Sequence, residues 1–361
     1  MIKEISDFPV STGKICFMSA LVDILRYYHV DVNEGDLFGL CEGNLFYYGG
    51  IEHLSVEELN YANLIREFSM GGMKYDVMQM LDVLKETIGL NVDAFTESDN
   101  IRSIIKEHIS KDIPILSLVL RYYLEYGPGY KVDNFSHTIT VYGIDEEKDN
   151  LYVTDTFVAT KPISNYKGTL LMEHFLQSLD LSKAVFEMAT PNRLFAIYPN
   201  NPVTFSSIPL ETLNRSLINM AKKNLDGKMI DQHIYTGINA LNKFSDDFEK
   251  WLDMYEDSLL TKILEAIHLL ITNYGGPYVT CGLLGEYLNR IFLRENNIIY
   301  KNLADELVQL QRLWLICANM CYRASMNIKK DYIRKIIDKL HNIILQQKTL
   351  YEHIVMLEVE S

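Results

Sequence analysis

The stretch SHTITVYGIDEEKDNLYVTDTF, residues 136–157, decides the fold. Polar and apolar residues alternate through SHTITVYGID and again through LYVTDTF, and the polar run EEKDN lies between the two segments. Strict alternation is typical of a strand with one buried face, and two such strands joined by a short polar link form a hairpin. The sequence therefore predicts an antiparallel sheet in the first half of the chain.

Helices and further strands are predicted around this hairpin. The glycine- and aromatic-rich segment DVNEGDLFGLCEGNLFYYGG, residues 31–50, is expected to be a compact loop. Apolar spacing of three and four residues predicts amphipathic helices, and short apolar runs predict buried strands. The helices are CFMSALVDILRYY (16–28), VMQMLDVLKETIG (77–89) and NIRSIIKEHISK (100–111), and the strands are IPILSLVLRYY (113–123) and RLFAIYP (193–199).

The second half of the chain has a different hydrophobic pattern, which is mostly helical. The proline-rich link YPNNPVTFSSIPLE, residues 198–211, is the natural boundary, and almost everything after it shows helical periodicity. We expect an α+β domain at residues 1–200 and an all-α helical domain at residues 201–361. The predicted helices are NRSLINMAKKNL (214–225) and roughly residues 229–251, 258–272, 283–294, 303–324 and 329–356, with a break at GGP (275–277).

Bulk composition limits the classes of function. The 361 residues are 48% hydrophobic, which is enough for a large core, and the net charge of −14 disfavours nucleic acid and anionic membrane surfaces as partners. The longest apolar runs are too short to span a bilayer. The first ten residues, MIKEISDFPV, lack the apolar segment of a signal peptide, so we expect a cytoplasmic protein.

The five cysteines are expected to be reduced thiols, because an odd number spread over a long chain is a poor disulfide framework. Cys317 and Cys321 are four residues apart on a predicted helix, but no second pair completes a tetrahedral zinc site. Core packing therefore explains this pair better than a metal does, and no metal site is predicted.

Three residues of the first half could form a nucleophilic site. Such chemistry needs a thiolate, a base that generates it and a group that orients the base. Cys16 begins a predicted helix just after Gly13, His137 opens the first hairpin strand, and Asp155 lies on the second. Each also has a structural explanation: a buried thiol, a half-buried polar residue or a turn cap. Their order along the chain, however, is that of papain-like enzymes.

The hairpin register decides whether the base and its orienting group can meet. A turn centred near Glu146 would place His137 and Asp155 opposite each other, about 5 Å apart at Cβ. A turn centred near Lys148 would leave them on one face but offset by four residues, on the order of 13 Å. In that case only a bulge could restore the pairing.

Several motifs together resemble the butirosin biosynthesis protein H family. The run GKICFMSALVDILRYYHVDVNEGDLFGLCEGNLFYYGG (13–50), and within it DLFGLCEGNLFYY (36–48), is similar to the start of that family. FSHTITVYGIDEEKDNLYVTDT (135–156) is similar to its hairpin. GGPYVTCGLLGEYLNR (275–290) and Trp314 resemble its helical half. The resemblance covers nearly the whole chain, strongly in the first two motifs and loosely after residue 200.

The resemblance implies a papain-like cysteine-protease fold for residues 1–200 and an acyltransferase, or amide synthase, of antibiotic biosynthesis. The acyl chain would come from the phosphopantetheine thioester of an acyl or peptidyl carrier protein and pass to a small amine or diamine, such as an aminoglycoside. Cys16 would be acylated, His137 would be its base, and Asp155 would orient His137. The chain itself would need no cofactor. A homodimer is a further option that the sequence leaves open.

Other parts of the site are less defined. Papain-like proteases carry a glutamine shortly before the cysteine, and SDFPVSTGKI, residues 6–15, has none. The backbone N–H of Cys16 can donate once to an oxyanion, and the hydroxyl of Ser11 or Thr12 is a candidate second donor. Candidate substrate-binding residues lie in the aromatic segment: Tyr47, Tyr48 and Glu42. Packing of the two tyrosines and solvation of the glutamate are the simpler alternatives.

Two other functions compete with acyl transfer. A papain-like hydrolase would use the same three residues to cleave a peptide, an amide or a thioester with water. A catalytically silent binding protein would keep the fold and use none of them. The missing glutamine disfavours a general peptidase.

Overall fold

The computed structural model describes residues 2–50, 63, 68–69, 77–158, 165–184, 190–201, 203–231, 234–273 and 275–360. Over these residues the chain has an α+β fold, with an antiparallel sheet in its N-terminal part and helices in its C-terminal part. It divides into two compact units. The first comprises Met1–Leu37 and Tyr75–Ile208, and the second comprises Phe38–Lys74 and Pro209–Ser361.

The first unit is built on a seven-stranded antiparallel sheet in the order β4-β9-β5-β6-β7-β8, with β1 paired to β6. Its strands are β1 (Ile2–Glu4), β4 (Leu90–Thr96), β5 (Ile115–Leu120), β6 (Ser136–Asp145), β7 (Asn150–Asp155), β8 (Tyr166–Leu171) and β9 (Asn192–Pro199). Its helices are α1 (Cys16–Tyr27), the start of α2 (Glu34–Leu40), α3 (Val77–Ile88), α4 (Ile101–Ser110) and α5 (Met172–Ser178).

These elements confirm the predicted hairpin, which is β6 and β7, and the predicted helices α1, α3 and α4. The apolar run at β5 is a strand with every residue buried, because it lies inside the sheet between β6 and β9. Strands β4 and β8 were not predicted. Their sequences, LNVDAFT and YKGTLL, alternate weakly and pair at or near the outer edges of the sheet.

The prediction of a loop at residues 31–50 was wrong, because the segment contains helix α2 and the short strand β2 (Tyr47–Tyr48). A reciprocal pair of hydrogen bonds starts the helix: Asn33 N–H donates to Asp36, and Asp36 N–H donates to the side chain of Asn33, both at 2.9 Å. This arrangement is a capping box, which satisfies backbone donors that the first turn would leave unpaired.

The second unit is helical apart from a small antiparallel sheet in the order β10-β11-β2-β3. The other strands of this sheet are β3 (Phe68–Ser69), β10 (Met229–Asp231) and β11 (Ile234–Thr236). The helices are α6 (Leu210–Asp226), α7 (Gly237–Met254), α8 (Asp257–Thr272), α9 (Pro277–Glu295), α10 (Ile298–Met326) and α11 (Lys330–Glu360). Helix α9 begins with Pro277 directly after the predicted break.

The predicted helix over residues 229–251 begins later than expected, because its first part forms β10 and β11. Gly237 explains the boundary. It has a φ of +61°, and a Cβ at this position would lie 2.1 Å from the carbonyl oxygen of Asn224. Only glycine fits this close left-handed junction, so the helix cannot extend back through it.

Asn44 ties the segment after α2 to the helices of the second unit. Its side chain donates to Tyr351 and accepts from Thr280, each at 3.0 Å, and its carbonyl oxygen accepts from the side chain of Asn224 at 3.1 Å. Asn44 is fully buried. These contacts explain why the described residues that follow α2 group with the C-terminal helices. The predicted domains, 1–200 and 201–361, instead divide the chain at a single point.

Candidate active site

Cys16 is the first residue of α1, and the backbone before it is tightly held. The carboxylate of Glu34 accepts the N–H groups of both Lys14 and Ile15 at 3.0 Å. The N–H of Gly13 donates to the carbonyl oxygen of Thr156, the residue after β7, at 2.9 Å. The turn before Cys16 is thus attached both to α2 and to the hairpin.

Gly13 lets this turn approach the helix closely. A Cβ at Gly13 would lie 2.1 Å from both Cβ and Oγ of Ser19, a separation that no side chain tolerates. Ser19 cannot easily move away, because its hydroxyl bonds the carbonyl oxygen of Ile15 at 2.7 Å and the hydroxyl of Thr156 at 2.6 Å. The glycine that the sequence places three residues before Cys16 is therefore required by packing.

His137 and Asp155 are in direct contact. Nε2 of His137 lies 2.9 Å from each carboxylate oxygen of Asp155, and both residues are buried. Because a carboxylate only accepts hydrogen bonds, Nε2 carries the proton of this contact. Nδ1 is then the ring nitrogen left for the thiol.

A bulge in the hairpin makes this contact. The turn comprises residues 146–149, and Asp145 pairs with Asn150, so its centre lies between the two positions considered from the sequence. The register shifts by one residue between Val141 and Gly143, which leaves Tyr142 as the extra residue. Without this shift His137 would face the opposite side of the sheet from Asp155, because side chains alternate along a strand.

Cys16 completes the group, because its thiol interacts electrostatically with the imidazole of His137. Burial acts to raise the pKa of the Cys16 thiol, but the interaction with His137, above all with its charge, outweighs burial, and the pKa is lowered. Cys16 is half-buried, whereas Cys41, Cys281, Cys317 and Cys321 are all buried. Burial raises the pKa of the thiols of Cys41 and Cys281, so their environment opposes the thiolate.

The charges of the base and its partner reinforce each other. Burial acts to lower the pKa of His137, yet the carboxylate of Asp155 and the thiol of Cys16 raise it to about 10. Burial acts to raise the pKa of Asp155, but the charge of His137 and hydrogen bonds lower it overall. These bonds include the N–H of Phe157 at 2.9 Å and the hydroxyl of Tyr126 at 3.1 Å. A thiolate next to an imidazolium, oriented by a carboxylate, is the chemistry of a thiol nucleophile.

The two hydroxyls considered as oxyanion donors have different surroundings. Ser11 donates its hydroxyl to Asp23 at 2.8 Å and its N–H to the other oxygen of the same carboxylate at 2.9 Å. The Ser11 hydroxyl therefore donates its proton to Asp23 rather than to an oxyanion. The hydroxyl of Thr12 accepts from the side chain of Asn165 at 3.3 Å. The N-cap residue Ile15 makes no side-chain capping bond, so the first N–H groups of α1, including that of Cys16, point out of the helix end.

The candidate substrate-binding residues all lie in the second unit. Tyr48 is buried and donates its hydroxyl to Asp247 at 2.9 Å, and Tyr47 is half-buried in strand β2. Glu42 accepts from Asn219 at 2.9 Å and forms an ion pair with Lys223. These contacts account for the three residues within their own unit, and their role toward a substrate stays a prediction.

Tyr126 and Glu34 were not identified from the sequence. Tyr126 lies in the segment RYYLEYGPGY, where nothing distinguishes it from its neighbouring tyrosines. Glu34 is the second residue of the capping box that starts at Asn33, so the only available signal was the helix start itself. Both act through tertiary contacts that sequence spacing does not encode.

Two features were sought in the described parts of the chain: a cluster of metal-binding side chains and a helix able to cross a membrane. No group of three or more His, Cys, Asp or Glu side chains there is arranged to hold a metal ion. Cys317 and Cys321 are neighbours in the core of the second unit, where their mutual interaction and burial raise the pKa of Cys321. No helix of the residues described is long and apolar enough to cross a bilayer.

A known protein family matches the part of the chain that contains the candidate site. No curated protein is similar enough to the chain to match it. The family described as "Butirosin biosynthesis protein H, N-terminal" matches residues 15–156, a stretch that begins one residue before Cys16 and ends one residue after Asp155. Residues 15–156, which include the three residues of the candidate site, are thus similar to the butirosin biosynthesis protein H N-terminal family.

Proposed function

We propose that the protein is a cysteine-dependent acyltransferase that forms an amide bond in the biosynthesis of an antibiotic or a related specialised metabolite. The observation that carries this proposal is the series of interactions that joins Cys16 to His137 and His137 to Asp155. The family description, which names butirosin biosynthesis, supports a biosynthetic reaction over a digestive one. The acyl donor is the phosphopantetheine thioester of a carrier protein, and the acceptor is a small amine or diamine.

The first half-reaction loads the enzyme. His137 holds the proton of Cys16, and the Cys16 thiolate attacks the thioester carbonyl to give a tetrahedral oxyanion. The N–H of Cys16 at the start of α1 donates to this oxyanion, with Thr12 as the candidate second donor. The carbon–sulfur bond to phosphopantetheine then breaks, and the leaving thiolate takes the proton from His137. The products are acyl-Cys16 and the free thiol of the carrier protein.

The second half-reaction transfers the acyl group. The neutral amine attacks the carbonyl of acyl-Cys16, and His137 accepts a proton from the amine nitrogen. The bond to the Cys16 sulfur breaks, and the amide is released while the thiolate–imidazolium pair is restored. The acyl group stays at the oxidation level of a carboxylic acid throughout. The chain itself therefore needs no redox cofactor, and phosphopantetheine arrives on the carrier protein.

The same contacts agree with the papain-like fold implied by the sequence. A cysteine at the start of a helix, followed in the chain by a histidine and an acid on neighbouring antiparallel strands, has the same order of roles as a papain-like site. The proposal therefore includes this fold for the first unit. It also keeps Tyr47, Tyr48 and Glu42 as candidate substrate-binding residues.

The test is mass spectrometry of the intact protein after incubation with acyl-loaded carrier proteins. We expect an acyl adduct on wild type and on Cys41→Ala, and no adduct on Cys16→Ala. Addition of candidate amines should then remove the adduct and release an amide. Release of free acid alone, whatever the amine, would establish a hydrolase in place of the acyltransferase. Equal and slow labelling of all variants by iodoacetamide would identify a silent binding protein.

A further inference from the structure

The carboxylate of Asp155 accepts hydrogen bonds from three different segments. Nε2 of His137 lies 2.9 Å from both carboxylate oxygens, the N–H of Phe157 donates to Oδ1 at 2.9 Å, and the hydroxyl of Tyr126 donates to Oδ2 at 3.1 Å. Phe157 lies only two residues along the same strand end, so its contact holds one oxygen locally. The hydroxyl of Tyr126 is the tertiary contact that holds the other.

Tyr126 belongs to a compact loop, residues 121–135, that joins β5 to β6 and leads directly into His137. Arg121 closes the loop, because its guanidinium pairs with Asp133 at 3.2 Å and its N–H donates to the carbonyl oxygen of Phe135 at 3.0 Å. The loop that carries Tyr126 is thus anchored at the residues that flank the histidine strand. The position of the tyrosine and the position of the imidazole are coupled through this short piece of backbone.

The ring of Tyr126 is itself fixed by Tyr166. The two rings are stacked, with centroids 3.9 Å apart and an interplanar angle of 8°. Tyr166 pairs with Asp155 across β7 and β8, and its hydroxyl donates to the carbonyl oxygen of Thr169 at 3.0 Å. The absence of a side chain at Gly168 leaves space for the Tyr166 ring, because a Cβ at residue 168 would lie 2.3 Å from the Tyr166 hydroxyl oxygen.

We propose that Tyr126 is a positioning residue of the candidate site: held by the ring of Tyr166, its hydroxyl orients the Asp155 carboxylate toward His137. This inference rests on the proposed function, because it assigns Tyr126 to the same thiol chemistry. Nothing in the residue pattern of RYYLEYGPGY singles out this tyrosine. It is the tertiary contact that does so.

Tyr126 remains a donor over the whole working range of pH. Burial and the charge of Asp155 raise the pKa of its hydroxyl well above the ordinary value, so the proton stays in place. The titratable groups that face Asp155 are His137 from β6, Cys16 from α1, Tyr126 from the loop and Tyr166 from β8. The hydroxyl of Tyr126 acts to lower the pKa of Asp155, and its removal should raise that pKa.

The experiment measures the rate of Cys16 alkylation by iodoacetamide as a function of pH, with the labelled peptide identified by mass spectrometry. Tyr126→Phe keeps the stacked ring and removes only the hydroxyl. We expect the acidic midpoint of the rate profile to fall by about one pH unit, because Asp155 is protonated more easily and its negative charge, which acts to raise the pKa of Cys16, is then lost. The thermal unfolding midpoint should stay close to that of wild type.

Tyr123→Phe is the matched control, because it removes a hydroxyl from the same loop and should leave the acidic midpoint unchanged. Gly168→Ala is a second, independent variant that displaces the Tyr166 ring and should shift the midpoint in the same direction as Tyr126→Phe. Identical acidic midpoints in wild type and Tyr126→Phe would overturn the inference, and so would an equal shift in Tyr123→Phe. Failure of Cys16 to react faster than Cys41 in wild type would instead overturn the proposed function.

Discussion

Nε2 of His137 lies 2.9 Å from the carboxylate of Asp155, although the two residues are not paired across the hairpin. Thr140 pairs with Thr154, so Ile139 is the residue that continues opposite Asp155, and His137 is two residues further along on the same face. A diagonal neighbour of this kind is within reach of a long side chain but not of a short one. The imidazole spans the offset, and both carboxylate oxygens share the contact.

Asp155→Asn should change the protonation of His137 and leave the fold largely intact. The carboxylate is the main cause that raises the pKa of His137 to about 10, so the amide should lower this pKa markedly. An NMR titration of the imidazole measures it. The amide can also donate to Nε2 and leave the wrong tautomer facing Cys16, which should slow acylation by about two to four orders of magnitude.

Asp145→Asn is the control for this variant, because Asp145 is a buried aspartate of the same hairpin that accepts N–H groups from the turn at 3.1 Å. It should leave the pKa of His137 unchanged. An equal fall in both variants would show that the general charge of the hairpin, rather than the Asp155 contact, sets the protonation of the base.

The pH dependence of stability should reveal the ion pair. The pKa of His137 rises on folding from 6.5 to about 10, so its contribution is complete below pH 6.5 and is lost as the pH rises through 10. The pKa of Cys16 falls from 9.0, so its contribution is complete above pH 9.0 and is lost as the pH falls through the lowered value. Between pH 6.5 and pH 9.0 the two contributions to the wild-type stability therefore change in opposite directions.

Cys16→Ala removes the part of the pH dependence of stability that comes from the Cys16 thiol. Above pH 6.5 the folded variant still holds the His137 proton that its unfolded state has released, so its unfolding free energy should fall by up to about 1.4 kcal/mol per pH unit. The fall should end at the pKa of His137 in the variant, which is lower than in the wild type because the Cys16 charge is gone. Urea denaturation of both proteins measures this. Parallel curves for both proteins would mean that Cys16 is not ionised in the folded state.

Gly13→Ala should disturb the position of Cys16. The new Cβ would lie 2.1 Å from Cβ and Oγ of Ser19, and the turn before the nucleophile must shift. We expect Cys16 alkylation to slow about tenfold or more, since small misplacements of a reacting group are costly. The double variant Gly13→Ala with Ser19→Gly removes the clash and should recover part of the rate.

Gly285→Ala is the control for the glycine substitution. Its Cβ would meet no atom closer than 3.8 Å, within helix α9. It should leave the alkylation rate unchanged. If the double variant recovered nothing, the loss in Gly13→Ala would have a cause other than the contact with Ser19.

Asn44→Ala should destabilise the second unit. The substitution leaves the buried side chain of Thr280 without its acceptor and Tyr351 without its donor, and it places alanine at a φ of +78°. We expect a loss of about 3 kcal/mol of unfolding free energy, measured by chemical denaturation. Asn296→Ala shares the positive φ at an exposed helix end and should cost at most about 1 kcal/mol. Similar losses in both variants would show that backbone strain alone matters at Asn44.

Patterns with a short period were predictable from the sequence. The alternation of β6 and β7 and the apolar stripe of α1 arise from neighbouring residues, and both elements lie where the patterns predicted them. The paired strands β10 and β11 were missed, because the start of the helix that follows them depends on the approach of Gly237 to the carbonyl of Asn224. The helix α2 was missed although Asn33 and Asp36 carry a capping signal, because the glycine-rich segment around it favoured a loop.

For the site, the sequence alone determined which residues could carry the chemistry: a cysteine at a helix start, a histidine and an aspartate on successive strands, and a glycine before the cysteine. Only the tertiary structure decided that these residues meet. A one-residue bulge at Tyr142 sets which face His137 occupies, and two tyrosines far apart in the chain orient Asp155. The physical reason is that register and long-range hydrogen bonds depend on partners distant in sequence, which local periodicity does not encode.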